Sequence, residues 1–355
     1  MRAKGLYVKV EYADQDITAQ VEPYLERLEY RDSLGGSQPD TLVVTLDDSQ
    51  GLFSGPLHPV KGSALYFEFG YDTGDVFKSG KGFLIDSIKI EGGGFESYDP
   101  GKLLGTAVWT ASANLPGSGI HSRTTRAWTD TTLEGVASEI AEKHGLGLVF
   151  ESGRAIGLKR LDQFDKTDLG LIKELAERYG LSFSVKAGKE GPTIVIAGLD
   201  TIKTKPPVLR LSVGHCTGYS FEDSVRLHPR GRYVRYFDPE KKELVEFGHE
   251  RMKLKVGDRL TGSALDLPDG TGQQDRAVIR EAMQVYAQMD DPQEVECKAS
   301  IALPGNPNLL AGVVLELPED EWAYYAGKWV IDKSTHTMDV KSGYKTALEL
   351  KKHGG

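Results

Sequence analysis

The sequence predicts an α+β chain, mainly β, with two similar β-barrel modules, a small α/β insert and a further helix-containing insertion. Three observations predict it. Short alternating strands separated by Asp/Gly turns fill both ends of the chain. Two capped, one-faced helices sit between them. A strand phrase also occurs twice, as Phe83-Leu84-Ile85-Asp86 and as Trp329-Val330-Ile331-Asp332, with Gly80-Lys81 and Gly327-Lys328 close ahead. Each copy reads as an aromatic, two β-favouring aliphatics and a closing Asp. A polar-apolar alternation, a Gly-bearing turn and a long last strand follow each one. The expected units are a first barrel over 1–116, an α/β insert over 117–205 and a second barrel split over 206–250 and 291–355. A loop-helix insertion is expected over 251–290.

In the first unit, Leu6–Tyr12, Thr41–Leu46 and Ala64–Phe69 alternate cleanly between turns such as Asp47-Asp48-Ser49-Gln50-Gly51. Pro116-Gly117-Ser118-Gly119 marks the change of texture. Thr131 to His144 then predicts a helix with a capping box of Thr131 and Glu134, and Gly145 fits the left-handed position after it. Asp168 to Tyr179 predicts a second helix with Gly180 in the same role. Both exit through Gly-Leu into a short strand, and Thr193–Ala197 completes their sheet. After Pro206-Pro207 strands return, with a hairpin from Tyr233–Phe237 to Glu243–Phe247. A polar loop over 257–272 precedes one more helix, about Gln273 to Met289.

At 355 residues the chain exceeds the size of one economical core. Hydrophobic content of 39% with 27% charged residues is soluble composition. A net charge of -9 without a basic run argues against gripping a phosphate backbone, so no specific nucleic-acid binding is expected. No window approaches a membrane span and no apolar leader follows Met1, so cytosolic synthesis is expected. Cys216 and Cys297 are too few for a disulfide framework, and the eight His lack metal-ligand spacing.

The order of elements resembles the late control D family of contractile phage tails, whose members are baseplate hub proteins related to the first part of the type VI secretion spike. Three stretches carry the likeness: Asp168–Leu181 as an insert helix, Gly305-Asn306-Pro307-Asn308-Leu309-Leu310-Ala311-Gly312 as a turn before a late strand, and His336–Leu350 as a closing hairpin. The resemblance covers the whole chain in order. It implies a non-enzymatic structural hub in the virion tail baseplate, assembled in the host cytoplasm, with no cofactor. It further implies a homotrimer in which two barrels per chain make a pseudo-sixfold ring between a sixfold tail tube and a central spike. Tube and spike proteins are then the partners, and a tape-measure protein is a further candidate. The ring's inner wall is expected to be acidic or neutral.

Two other readings are weighed against this one. A cell-wall hydrolase would need paired carboxylates in a cleft, and no pair stands out. A type VI spike would continue into a further barrel and needle, whereas this sequence stops at Gly355. Asp72-Thr73-Gly74 spells an aspartic-protease tripeptide, but the repeat offers Asp332-Lys333-Ser334 rather than a second copy, so turn chemistry is the reading. Asp86 and Asp332 are strand-end residues, and His215-Cys216 are neighbours expected on opposite faces. Gly117-Ser118-Gly119 reads as linker. Trp109, Trp128, Trp322, Tyr324 and Tyr325 read as core or interface rather than as sugar platforms, and Glu319-Asp320-Glu321 as a solvated loop. For the subunit interface the candidates are Lys345, Thr346, Leu348 and Leu350 of the closing strand, expected to be an open barrel edge.

Overall fold

The computed structural model describes residues 5–35, 39–72, 74–92, 105–113, 119–188, 191–225, 232–238, 243–248, 263–266 and 295–352. The Pro116–Ser118 linker, the Gln273–Met289 helix and most of the 251–290 insertion lie outside the described residues. In chain order the first part holds β1 (Leu6–Tyr12), β2 (Gln15–Asp16), α1 (Thr18–Val21), β3 (Leu25–Ser33), β4 (Thr41–Asp47), β5 (Ala64–Tyr71), β6 (Val76–Lys78), β7 (Phe83–Gly92) and β8 (Gly105–Ala113). The middle holds β9 (Arg123–Thr132), α2 (Leu133–Lys143), β10 (Gly147–Glu151), β11 (Gly157–Thr167), α3 (Asp168–Arg178), β12 (Leu181–Ala187), β13 (Pro192–Gly198) and α4 (Leu199–Thr204). Then come β14 (Leu209–Arg210), β15 (Gly218–Val225), β16 (Arg232–Asp238), β17 (Glu243–Gly248), β18 (Ser263–Asp266), β19 (Val295–Pro304), β20 (Val314–Leu317), α5 (Glu319–Trp322), β21 (Gly327–Asp339) and β22 (Gly343–Lys352).

The chain is mainly β. One extended sheet runs β15-β19-β22-β21-β3-β4-β8-β7-β5-β1-β2, with β20 beside β21. Within it a five-strand pattern occurs twice, as β3-β4-β8-β7-β5 and as β15-β19-β22-β21-β20, antiparallel at every step. The repeated phrase anchors the equivalence at residue level. Leu65 faces Phe83 and Leu315 faces Trp329. The β7–β8 ladder bulges between Ile85 and Ser87, and the β21–β22 ladder between Ile331 and Lys333. Each bulge therefore falls on the Asp of the phrase, where an extra residue re-aims the strand.

The turns ahead of β5 and β20 match too. The Gly62 amide donates to the Ile85 carbonyl at 2.7 Å and the Ile85 amide to Ser63 at 3.0 Å. The Gly312 amide donates to Ile331 at 2.8 Å and the Ile331 amide to Val313 at 2.9 Å. Both glycines hold φ of 85°, a conformation that penalises any Cβ.

Each pattern has its own core. Phe83, Ile85, Leu42, Val44 and Trp109 pack with Phe67 and Phe69 in the first. Trp329, Ile331, Ala299, Leu348 and Leu350 pack with Leu315 and Trp322 in the second. The flanks differ, since β5 carries antiparallel β1 while β20 carries the short parallel β14. The hairpin expected inside the second barrel instead pairs with β18 in a separate three-stranded sheet, so part of the predicted polar loop is a strand.

The insert is itself a twofold repeat, strand-helix-strand at a constant offset. Thr132-Leu133-Glu134-Gly135 opens α2 and Thr167-Asp168-Leu169-Gly170 opens α3. In each, the Thr hydroxyl accepts the amide of the Gly three residues on, at 3.0 Å. The first cap is thus Thr132, the last residue of β9, and not Thr131, which lies inside that strand opposite Leu158. The helices close on Gly145 and Gly180, both at positive φ as expected. The long β9–β11 ribbon was not foreseen, because its residues are polar at most positions.

Asp168, fully buried, ties both halves together. It accepts from Arg126 at 2.9 Å, Lys143 at 2.9 Å, His144 at 2.8 Å and Gln163 at 2.9 Å. Burial alone would raise its carboxyl, but the bonds from His144, Gln163 and Lys143 and the Arg126 charge hold it well below the usual carboxylate range.

Candidate assembly surface

One face of the joined sheet packs on the cores and the other is polar across both patterns. Lys298, Ser300, Lys345, Glu349, Lys333, Thr335, Thr337, Arg31, Thr41, Thr45 and Thr110 stand on it, as alternation requires of a half-covered antiparallel sheet. Its charges interleave. Lys333 pairs with Glu349 at 2.8 Å and Lys351 with Asp332 at 3.0 Å. Glu29, almost fully buried, is clasped by Arg27 and Arg31. A shallow depression of about 430 Å³ on this face is lined by Glu222, Lys298, Asp332, Lys333, Glu349 and Lys351 among others. Mixed signs at this spacing give no continuous field of one sign.

The two patterns join where the second half of β21 pairs with β3, from Lys333 opposite Ser33 to Asp339 opposite Arg27. β21 thus serves β20 with its first half and the other module with its second. The seam is closed by buried polar groups. His336, fully buried, is depressed to about 4 by desolvation and stays neutral. Its Nε2 faces the Leu309 carbonyl at 3.1 Å and Ser334 Oγ at 2.9 Å, while Nδ1 faces the Tyr344 hydroxyl at 2.8 Å. A carbonyl can only accept, so the proton sits on Nε2 and Nδ1 accepts from Tyr344. The Ala311 amide donates to Asp32 at 2.8 Å across the same seam.

Behind it, Lys186 from the insert reaches Asp32 and lies 3.5 Å from Asp40, and the Tyr30 hydroxyl donates to Asp40 at 3.1 Å. Burial first, and the Asp32 charge second, push the Asp40 carboxyl up to about 7. A carboxyl raised on folding stabilises the fold in full below its unfolded value near 3.8, and that contribution is lost as pH rises through about 7. Asp40→Asn is therefore expected to gain melting temperature over wild type progressively from pH 4 to pH 8. A gap that stays constant across that interval in thermal denaturation would refute this assignment.

The residues expected at the interface sit elsewhere in the sheet than their place in the chain suggested. β22 is paired on both sides, with β19 and with β21, so it is not an open edge. Thr346, Leu348 and Leu350 are buried within their own module, and Lys345 stands on the polar face. Being last in the chain does not make a strand last in the sheet.

Trp109 and Trp322 are core residues, and Trp322 donates to the Leu211 carbonyl at 2.7 Å. Tyr325 stacks on Phe221 with ring centroids 4.1 Å apart, while Tyr324 is exposed. Trp128 lies in the insert under the Arg126 guanidinium. Asp86 accepts from Ser112, Asp332 pairs with Lys351, and Asp72 closes a turn onto Gly5. Burial, and then Glu321, raise the Cys216 thiol, the opposite of nucleophile activation. Glu319–Trp322 is a short helix whose Glu321 accepts from Ser212 Oγ at 2.6 Å. Among the described residues no helix is long and apolar enough to cross a membrane, and no cluster of His, Cys, Asp and Glu is placed to hold a metal.

A second repeated phrase escaped the sequence reading. Tyr30-Arg31-Asp32-Ser33 lies in β3 and Phe221-Glu222-Asp223-Ser224 in β15, at equivalent places in the two patterns. Tyr30 faces Leu42 and Phe221 faces Ala299, while Leu42 and Ala299 face the equivalent Ala111 and Leu350.

This architecture is found in phage tail proteins and in a component of the type VI secretion system. The tail protein of Neisseria meningitidis MC58 superposes with a TM-score of 0.65 at 15% identity, covering 98% of this chain and 97% of that one. An Escherichia coli component of the type VI secretion system, described as similar to phage T4 tail proteins, gives 0.57 at 11% identity, over 93% of this chain and 74% of that one. Within that class the chain is similar to the probable baseplate hub proteins of Escherichia phages 186 and P2, at 31% and 29% identity over 176 residues. The matches take 49% of this chain and only 41% and 42% of the relatives' own lengths. No family model matches the chain. The resemblance to late control D hub proteins is borne out by these relatives.

Proposed function

We propose that the chain is a non-enzymatic baseplate hub subunit that assembles as a trimer, each copy supplying two equivalent modules to a pseudo-sixfold ring between tail tube and spike. The single observation carrying this reading is the twofold strand pattern, residue-matched at the bulges and joined edge to edge inside one chain. Two such modules in each of three copies present six similar surfaces to a sixfold tube while the assembly keeps threefold order for a spike. In this reading each module curls into a small barrel. The first covers 1–116, the insert 117–205, and the second takes its strands from 209–225 and 295–352 around an insertion. The polar face of the joined sheet lines the lumen, and its interleaved charges suit passage of DNA or a tape-measure protein without counterion-release binding.

The test is to tag the chain in the particle that encodes it, purify tails, and image them. Label at the tube–spike junction, with three copies per spike trimer, is expected, and deletion should leave tails without attached spikes. Absence of the chain from purified tails would overturn the proposal. So would clearing of a peptidoglycan suspension that a single Asp or Glu substitution abolishes, since that would establish the hydrolase reading.

A further inference from the structure

The seam inside the chain shows how two modules meet, and among the described residues each module has only one of its two seam edges in use. The second module offers the late half of β21, and the first receives it on β3. The equivalent of late β21 in the first module is Ser87–Gly92 of β7, and the equivalent of β3 in the second is β15. Among the described residues, Ser87–Gly92 pairs only with β8, and β15 only with β19. These two segments are the opposite ends of the strand run that carries the polar face.

Their side chains are those of a seam with its partner missing. Ser334 and His336 are fully buried at the seam, where His336 lies against Tyr30 and Phe77 of the first module, whereas their equivalents Ile88 and Ile90 are half-buried and 42% exposed. On the receiving side Leu28 is fully buried, while its equivalent Tyr219 is 55% exposed. Exposed apolar residues thus stand at positions that are dry inside the chain.

We infer that copies of this chain join head to tail by antiparallel pairing of β7 Ser87–Gly92 with β15 Gly218–Ser224 of the next copy, in the register of the internal seam. Carrying over His336 opposite Tyr30 and Thr335 opposite Arg31 places Ile90 opposite Phe221 and Lys89 opposite Glu222. The second pair brings opposite charges face to face, which stabilises a cross-strand neighbour pair. The next position along the register sets Ile88 opposite Asp223, where the internal seam has Ser334 opposite Asp32. Asp32 accepts the Ala311 amide across that seam, and the equivalent amide on the incoming copy is that of Lys61. Such a contact is heterologous, so it builds a ring when the rotation closes. It rests on the ring reading above only in requiring that copies meet.

The test is a cysteine pair in the full chain, Lys89→Cys with Glu222→Cys, under mild oxidation. Either spacing of facing Cα atoms in an antiparallel ladder lies within disulfide reach. The double variant is expected to give bands at multiples of the chain mass that collapse on reduction. Each single variant should give none, because a head-to-tail contact never brings a position against itself. Lys89→Glu should weaken association by roughly fivefold, and Lys89→Glu with Glu222→Lys should restore it.

A double cysteine variant that stays uncrosslinked at concentrations where wild type sediments as an oligomer would overturn the register and the edge. A wild type that stays monomeric at high concentration, with no crosslink, would overturn the contact itself. Failure of the hub reading looks different: the chain would crosslink as expected yet be absent from purified tails. Conversely, incorporation into tails without this crosslink would leave the hub reading intact and sink the contact.

Discussion

Replacing Lys186 with methionine is expected to destabilise the protein by about 3–5 kcal/mol near pH 8, the range for removing one partner from a buried ion pair. The ammonium group is the shared cation of two buried acids. It binds Asp32, lies 3.5 Å from Asp40 and donates to the Ser33 carbonyl at 2.9 Å. Methionine keeps most of the volume but leaves two carboxylates facing each other without a counter-charge. The loss should shrink toward pH 5, because Asp40 can then take up a proton and relieve the repulsion. Urea unfolding at the two pH values measures both effects. A loss below about 1 kcal/mol at pH 8 would mean that Lys186 does not hold the acids together. The same side chain fastens β12 of the insert to β3 of the first module, so amide exchange in the β12–β13 hairpin should quicken in the variant.

Phe83→Ala and Trp329→Ala should each cost about 3–5 kcal/mol, the range for truncating a large buried aromatic. Both side chains are fully buried, and they hold equivalent places opposite Leu65 and Leu315. Trp329 also donates to the Tyr325 carbonyl at 2.8 Å and packs edge-on to Phe221, so Trp329→Phe should recover most of the packing but not that bond. Thermal unfolding of the two alanine variants gives the comparison. A small effect at one site and a large one at the other would show that the modules do not use the position alike.

What the sequence made legible was whatever repeats along the chain in register. The Phe83–Asp86 and Trp329–Asp332 phrase carries a bulge whose backbone demand keeps the aromatic, the aliphatics and the Asp in fixed order. The helix ends were readable because Thr and Gly act locally, through one hydroxyl and one positive φ. The error of one residue at Thr131 arose because Thr131 and Thr132 offer the same hydroxyl, and only the bond that Thr132 accepts from the Gly135 amide decides between them.

Pairing partners were not readable. Lys345–Leu350 has the alternation of an edge strand and also that of an inner strand with one polar face, and β19, its partner on the far side, lies well upstream of it in the chain. The match of Tyr30–Ser33 to Phe221–Ser224 was hidden for a related reason. Arg31 and Glu222 lie on the polar face, where opposite charges are equally acceptable, so half of the phrase has no reason to look alike. The β9–β11 ribbon lacked an apolar stripe long enough to stand out.

The β21–β3 seam has a kinetic side as well. Both of its edges travel on one polypeptide, so it closes in a unimolecular step at an effective concentration that linkage alone can raise to millimolar. It can therefore close over buried polar groups, among them a neutral His336 and the Asp32 carboxyl that accepts the Ala311 amide. Separate molecules would have to desolvate and align all of these groups in a single encounter. Covalent linkage thus lets a seam that buries polar groups stay closed at any protein concentration.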